Sequence, residues 1–114
     1  MLVTCEKMLL DAQKGRYAVG AFNAENLEMA QAIVAAAEEL RAPVMIQTTS
    51  STLKYASPKI YRDMVAAIAE SSSAPVCMHL DHGDSVETCM RALRAGYTSL
   101  MSSSSCDIRR RWMC

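Results

Sequence analysis

Ala74-Pro75-Val76-Cys77-Met78-His79-Leu80-Asp81-His82-Gly83-Asp84 is an apolar run that ends abruptly in a carboxylate flanked by two imidazoles and then a glycine. A proline at the front with β-compatible residues behind it predicts a short buried strand. Gly83 is expected to let the backbone turn where another residue would be strained. Strands buried on both faces belong to parallel α/β sheets, which place active residues just past the carboxyl ends of strands. Asp81 and His82 occupy that place.

Reading outward, three more strand patterns and four helix patterns alternate along the chain. Thr4 to Lys14 sets Met8, Leu9 and Ala12 on one helical face, with a Thr that can cap and Gly15 just past the end. Tyr17 to Phe22 reads as a strand closing on Asn23. Leu27, Ala30, Ile33, Val34, Ala37 and Leu40 recur at helical spacing behind the cap Asn26. Pro43 to Gln47 is a strand, followed by the hydroxyl-rich loop Thr48-Thr49-Ser50-Ser51-Thr52, whose side chains usually satisfy turns. Ser57-Pro58 opens a helix with the stripe Ile60, Tyr61, Met64, Val65 and Ile68, ending near Ser71. Asp84-Ser85-Val86-Glu87 has a capping-box pattern before a helix with Val86, Met90 and Leu93 on one face that Gly96 ends, and Tyr97 to Met101 is the last strand. Four strands separated by helices, with no tight hairpin signals, predict a parallel βα repeat. A (β/α) barrel holds eight such units in about 250 residues, so this repeat would be half of one, and the spacing leaves open whether the sheet is open or closed.

Composition narrows the function classes. The chain has 114 residues, 51% of them apolar, and a formal net charge of zero, so one globular domain is expected without a general pull toward nucleic acid or anionic membrane. Arg109-Arg110-Arg111 with Trp112 adds little phosphate attraction on a neutral chain, and no nucleic-acid partner is expected. No apolar run approaches the roughly 20 residues of a membrane span, and Glu6 and Lys7 stand where a signal peptide needs its apolar core. A cytoplasmic protein is expected. The five cysteines form no Cys-x-x-Cys pair and are odd in number, which argues for reduced thiols, with Cys77 a small core residue.

Alternate residues of a strand share a face, so Cys77, His79 and Asp81 point one way and Val76, Met78 and Leu80 the other. A neutral His82 at the turn suits zinc, and Asp81 beside a bound cation could exchange a proton with a substrate hydroxyl. A hydrogen-bonded structural His82 and an Asp81 that caps the following turn are the competing explanations.

His79-Leu80-Asp81-His82-Gly83, preceded by Pro75-Val76, closely resembles the signature of the class II, zinc-dependent fructose-bisphosphate and tagatose-bisphosphate aldolases. The stretch Tyr17 to Asn26, the strand Pro43 to Gln47, and Arg94 to Met101 look like the same family in the same order, so the likeness covers residues 1–101. The resemblance implies an α/β fold, the N-terminal half of a (β/α)8 TIM barrel, about four βα units. It implies a lyase of carbohydrate metabolism and glycolysis that reversibly cleaves a ketose bisphosphate into dihydroxyacetone phosphate and glyceraldehyde 3-phosphate. In the family, zinc polarises the ketone oxygen. By the same resemblance His82 matches a zinc ligand, and Asp81 the acid/base that takes the proton from the hydroxyl at the bond to be cleaved. Asn23 matches a substrate-positioning asparagine, and Thr49 falls where many members have a substrate-contacting serine. His79 is left as an interior partner, and a homo-oligomer is the family's habit.

After Met101 the family continues with Ile-Asp-Gly-Ser and then the rest of the barrel, including two further zinc-binding histidines, a carboxylate and a glycine-rich phosphate site. Residues 102–114 follow none of this, and are expected to be an unrelated tail, frameshifted or disordered. A truncated aldolase without catalytic activity of its own is therefore expected. The alternative is a non-catalytic fragment pairing with a full-length aldolase or another partner through an exposed sheet edge.

Overall fold

The computed structural model describes residues 1–103. Four strands, β1 (Gly20–Asn23), β2 (Val44–Thr49), β3 (Val76–Gly83) and β4 (Ser99–Ser102), form one sheet in the order β1-β2-β3-β4, with every neighbouring pair parallel. Helices α1 (Cys5–Gly15), α2 (Leu27–Glu39), α3 (Thr52–Tyr55), α4 (Pro58–Glu70) and α5 (Val86–Ala95) connect them. Each crossover leads to the adjacent strand without a reversal of direction across the sheet. That order sends successive right-handed crossovers to the same face, as in a barrel, and leaves no switch point of the doubly wound kind.

The face so covered carries the main core. Val44 and Ile46 of β2 and Val76, Met78 and Leu80 of β3 pack with Ala30, Val34 and Ala37 of α2, Val65 and Ala69 of α4, and Cys89 and Ala92 of α5. The opposite, inner face holds a smaller core in which Cys5 and Met8 of α1 meet Met45 and Cys77. Strand alternation thus splits β3 as its sequence predicts, with Cys77 on the inner face and its two neighbours on the outer. Because Met45 and Cys77 lie near the starts of their strands, α1 closes the amino-terminal end of the inner face and leaves the carboxyl end open.

Local signals acted with some displacements. Asn26 and Ser57 cap α2 and α4 as expected, accepting from Met29 N–H and Ile60 N–H. Gly96 ends α5 in the left-handed region at φ 95°. The leading helix runs one residue further than its sequence suggests: Gly15 lies inside it, and Arg16 takes the left-handed cap at φ 55°. β1 begins at Gly20 rather than Tyr17, because the Tyr17 amide is spent on the Ala12 carbonyl at the end of α1. Thr48 and Thr49 extend β2, and Thr52 opens the short α3, so the expected hydroxyl loop is confined to Ser50 and Ser51. The cap of α5 is Ser85, one residue after the expected Asp84, which instead accepts from the Thr88 hydroxyl.

The stripes shift too. Leu9, Ile60, Leu40 and Leu93 are exposed, whereas Ala30, Val34, Ala37 and Val65 of the expected stripes are buried and Ala69 and Ala92 join them. Small residues at these positions let a helix approach the sheet closely. Among the described residues Cys5 and Cys77 are free buried thiols, Cys89 is buried in the main core, and no helix is long and apolar enough to cross a membrane. The expected tail lies outside the described residues except for Ser102 and Ser103.

Candidate active site

Parallel register places the residues singled out in the sequence at one end of one face. Asn23 of β1 pairs with Gln47 of β2, Gln47 with His79 of β3, and His79 with Ser99 of β4. These four polar residues form a transverse row on the inner face. Two positions further toward the carboxyl end, Thr49 pairs with Asp81. Asn23, Thr49 and Asp81 therefore stand at the ends of three neighbouring strands and share a face.

His82 would not join them in a regular strand, because consecutive side chains point to opposite faces. A bulge brings it over. β3 pairs with β4 at Leu80↔Leu100 and resumes at Gly83↔Ser102, so Asp81 and His82 stand opposite the single residue Met101. The left-handed residue of this bulge is His82 itself, at φ 51°, and not the glycine after it. Bulges bend the strand and re-aim side chains, and this one leaves His82 Nε2 3.7 Å from Asp81 Oδ1. A non-glycine residue in this region costs roughly 1–2 kcal/mol, and histidine tolerates it better than most. Gly83 answers a different requirement from the one its sequence suggests. A Cβ there would lie 2.6 Å from Cys89 Sγ and 3.2 Å from the Met101 carbonyl oxygen, so only glycine lets α5 and β4 come this close.

The imidazole of His82 is 70% exposed and the carboxylate of Asp81 only 18%. The acid is walled in by its strand neighbours while the ring projects into the open end. Below them His79 is buried and its Nδ1 lies 2.7 Å from Ser99 Oγ. Burial pushes the His79 imidazole below its ordinary value, with Asp81 opposing in part, so its neutral form is favoured. Thr49 Oγ1 lies 2.8 Å from Ser51 Oγ and 3.0 Å from Thr52 Oγ1, and Thr52 in turn donates to Glu25 Oε1 at 2.9 Å. Tyr61 donates its hydroxyl to the Glu25 carbonyl at 3.0 Å, which ties the β1–α2 loop to α4.

The arrangement provides one exposed imidazole, one adjacent half-buried carboxylate, and a hydroxyl and an amide along the same rim. Such a set can take a proton from a bound hydroxyl and offer one ligand to a cation. Among the described residues no three His, Cys, Asp or Glu side chains come together as a metal cluster. An exposed imidazole such as His82 is a donor of the type zinc accepts, and a zinc site needs three or four such protein ligands. Sequence reading missed Gln47, Ser99, Glu25 and Ser50. The parity of alternation could have put Gln47 in the row, whereas the others depend on which strands and loops become neighbours.

Comparison with known proteins agrees with the geometry. The sequence profile of the family fructose-bisphosphate aldolase class-II matches residues 3–108. The chain is 45% identical over 105 residues to a fructose-bisphosphate aldolase of Thermus caldophilus, covering 92% of this chain and 34% of that protein. It is 44% identical over 107 residues to one of Geobacillus stearothermophilus, covering 91% of this chain and 37% of that protein. Among solved structures, the YdjI aldolase from Escherichia coli K12 superposes with a TM-score of 0.84 at 33% identity, over 92% of this chain and 41% of that one. The chain therefore spans about a third of the length of the curated relatives it matches. Four consecutive βα strands in barrel order, with Asp81 and His82 displayed together at the third strand's end, are thus the N-terminal portion of a known architecture, and the chain belongs to the class II fructose-bisphosphate aldolase family.

Proposed function

We propose that this chain carries one corner of a zinc-dependent ketose-bisphosphate aldolase site, with Asp81 as the acid/base, His82 as one metal ligand, and Asn23 and Thr49 as substrate contacts. The observation that carries the reading is the β3 bulge, which puts the His82 imidazole 3.7 Å from the Asp81 carboxylate on the open rim of the inner face. Zinc, when bound, supplies a Lewis acid that polarises the substrate carbonyl. Asp81 takes the proton from the substrate hydroxyl at the carbon bond to be cleaved, and returns it in the reverse direction. Its half-buried position limits competing water. The Thr49 hydroxyl, held by Ser51 and Thr52, and the Asn23 amide hold substrate oxygens along the rim. His79, kept neutral by burial and paired with Ser99, supports the floor without charge. The products would be dihydroxyacetone phosphate and glyceraldehyde 3-phosphate, in a cytoplasmic enzyme that assembles as a homo-oligomer.

A catalytic zinc takes three protein ligands, and the described residues offer His82 alone at this rim. The 114-residue chain by itself is therefore expected to hold zinc weakly and to be inactive. Equilibrium dialysis against Zn2+ and a coupled assay of fructose-bisphosphate cleavage test this. Stoichiometric tight zinc with ordinary turnover would overturn it. A second reading, a non-catalytic pairing with an aldolase or another chain, is favoured by one observation: an apolar groove of about 470 Å³ beside β1, lined by Phe22, Ile33, Ala36 and Leu40. Co-purification with a defined partner at fixed stoichiometry would support that reading instead.

A further inference from the structure

We propose that Ser50 is a positioning residue for His82, its hydroxyl pinning the left-handed bulge that turns the imidazole toward Asp81. The positioning stands on backbone geometry, and its consequence for a metal rests on the reading of His82 as a ligand given above. His82 sits at φ 51°, a conformation that a histidine leaves readily unless its surroundings hold it. Ser50 Oγ donates to the His82 carbonyl at 3.2 Å and accepts from the Asp84 N–H at 3.1 Å. One hydroxyl thus bridges the backbone on both sides of Gly83. It reaches across from the carboxyl end of the neighbouring strand, directly after Thr49, the partner of Asp81 in the ladder.

The chemistry is specific, because the bridge needs a group that donates and accepts from a single atom. Ser and Thr hydroxyls do so; Ala does neither, and Cys does both weakly. The run Thr48-Thr49-Ser50-Ser51-Thr52 looks uniform in sequence, but its members have distinct partners. Thr48 bonds to Tyr97 beneath the sheet, Thr49 and Thr52 bond to one another, and Ser50 alone reaches the bulge. Contacts that fix the direction of a metal-ligating side chain are commonly worth about ten-fold or more in metal affinity, and here the contact acts through the backbone that carries the imidazole.

The test uses the metal-free 114-residue chain and its Ser50→Ala and Ser50→Thr variants, followed by NMR. In Ser50→Ala the His82 Cα and Cβ shifts are expected to move toward extended-backbone values, and the Asp84 amide to exchange with solvent about ten-fold faster. Ser50→Thr is expected to restore both. Zn2+ is then titrated while the His82 ring resonances are watched: the half-saturating concentration should rise about ten-fold in Ser50→Ala and return in Ser50→Thr. Should Ser50→Ala lose its resonance dispersion, Ser50→Cys provides the same comparison with its volume kept. Unchanged His82 shifts together with an unchanged zinc midpoint would overturn the proposal. A wild-type His82 ring that ignores Zn2+ would instead overturn the metal reading, while the backbone shifts still decide the positioning role.

Discussion

Replacing Gly83 by alanine should cost this chain a substantial part of its stability, for a reason that is local and steric. The added Cβ would meet Cys89 Sγ at 2.6 Å and both Leu80 Cδ2 and the Met101 carbonyl oxygen at 3.2 Å. The first distance is about 1 Å inside an ordinary carbon–sulfur contact, and Cys89 is buried on the face of α5 that packs into the main core. The thiol cannot swing into solvent, so α5 has to shift or the bulge has to open. Overpacking of this kind costs 1–3 kcal/mol, and we expect about 2 kcal/mol for Gly83→Ala. With a urea dependence of about 1.5–2 kcal/mol per molar, the unfolding midpoint should fall by about 1 M. Cys89→Ala removes the nearest obstructing atom, so the double variant should recover about 1 kcal/mol relative to the sum of the single effects. Urea unfolding followed by circular dichroism reads all four proteins. A Gly83→Ala protein as stable as its parent, or strictly additive costs, would refute the argument that glycine is there for close approach.

Two further expectations concern the end of α5 and the residue that follows it. Burial pushes the Tyr97 phenol up to about 12 from 10.0, against the opposing hydrogen bond of Thr48. The unfolded chain loses this proton first, so the stability it contributes is whole below pH 10 and is lost as pH rises from about 10 toward 12. Tyr97→Phe should flatten the fall of the urea midpoint across that window, leaving the parts due to Cys77, whose buried thiol is also pushed up to about 12, and to Tyr61, whose phenol burial also raises. A profile identical to the parent's would remove Tyr97 from the account. Gly96→Ala forces a Cβ into the left-handed region at φ 95° and sets it 3.1 Å from Arg62 Nε. A loss of about 1–2 kcal/mol in the same measurement is expected, and no loss would contradict the strain argument.

The order of strands and helices was legible because each signal is local. Asn26, Ser57-Pro58 and Gly96 act on the turn they belong to, and alternation alone separates Cys77 from Val76 and Met78. Helix faces were less so, since apolar periodicity favours large side chains such as Leu9 and Leu93, whereas the sheet contact selects Ala69 and Ala92 for their smallness. The site divides in the same way. Asp81 and His82 could be placed at a strand end from their surroundings in sequence. That they lie side by side could not, because the bulge exists only in the pairing of β3 with β4. The sequence points to Gly83 as the strained position because glycine is the usual occupant of the left-handed region, yet His82 takes that conformation and the glycine answers a contact from α5. Ser50 and Ser99 matter through neighbours on other strands, which no local pattern announces.

The most direct measurement of the central claim grafts residues 3–103 onto the remainder of a complete class II fructose-bisphosphate aldolase and follows zinc content and aldol cleavage together. The graft is expected to bind zinc and to turn over. Within it, Asp81→Ala should lower kcat by a factor of about 10²–10⁴ with zinc retained, the usual worth of a positioned acid/base. His82→Ala should lose the zinc. An Asp81→Ala graft that cleaves fructose bisphosphate as fast as its parent, or a His82→Ala graft that keeps its metal, would contradict the assignment of this corner of the site.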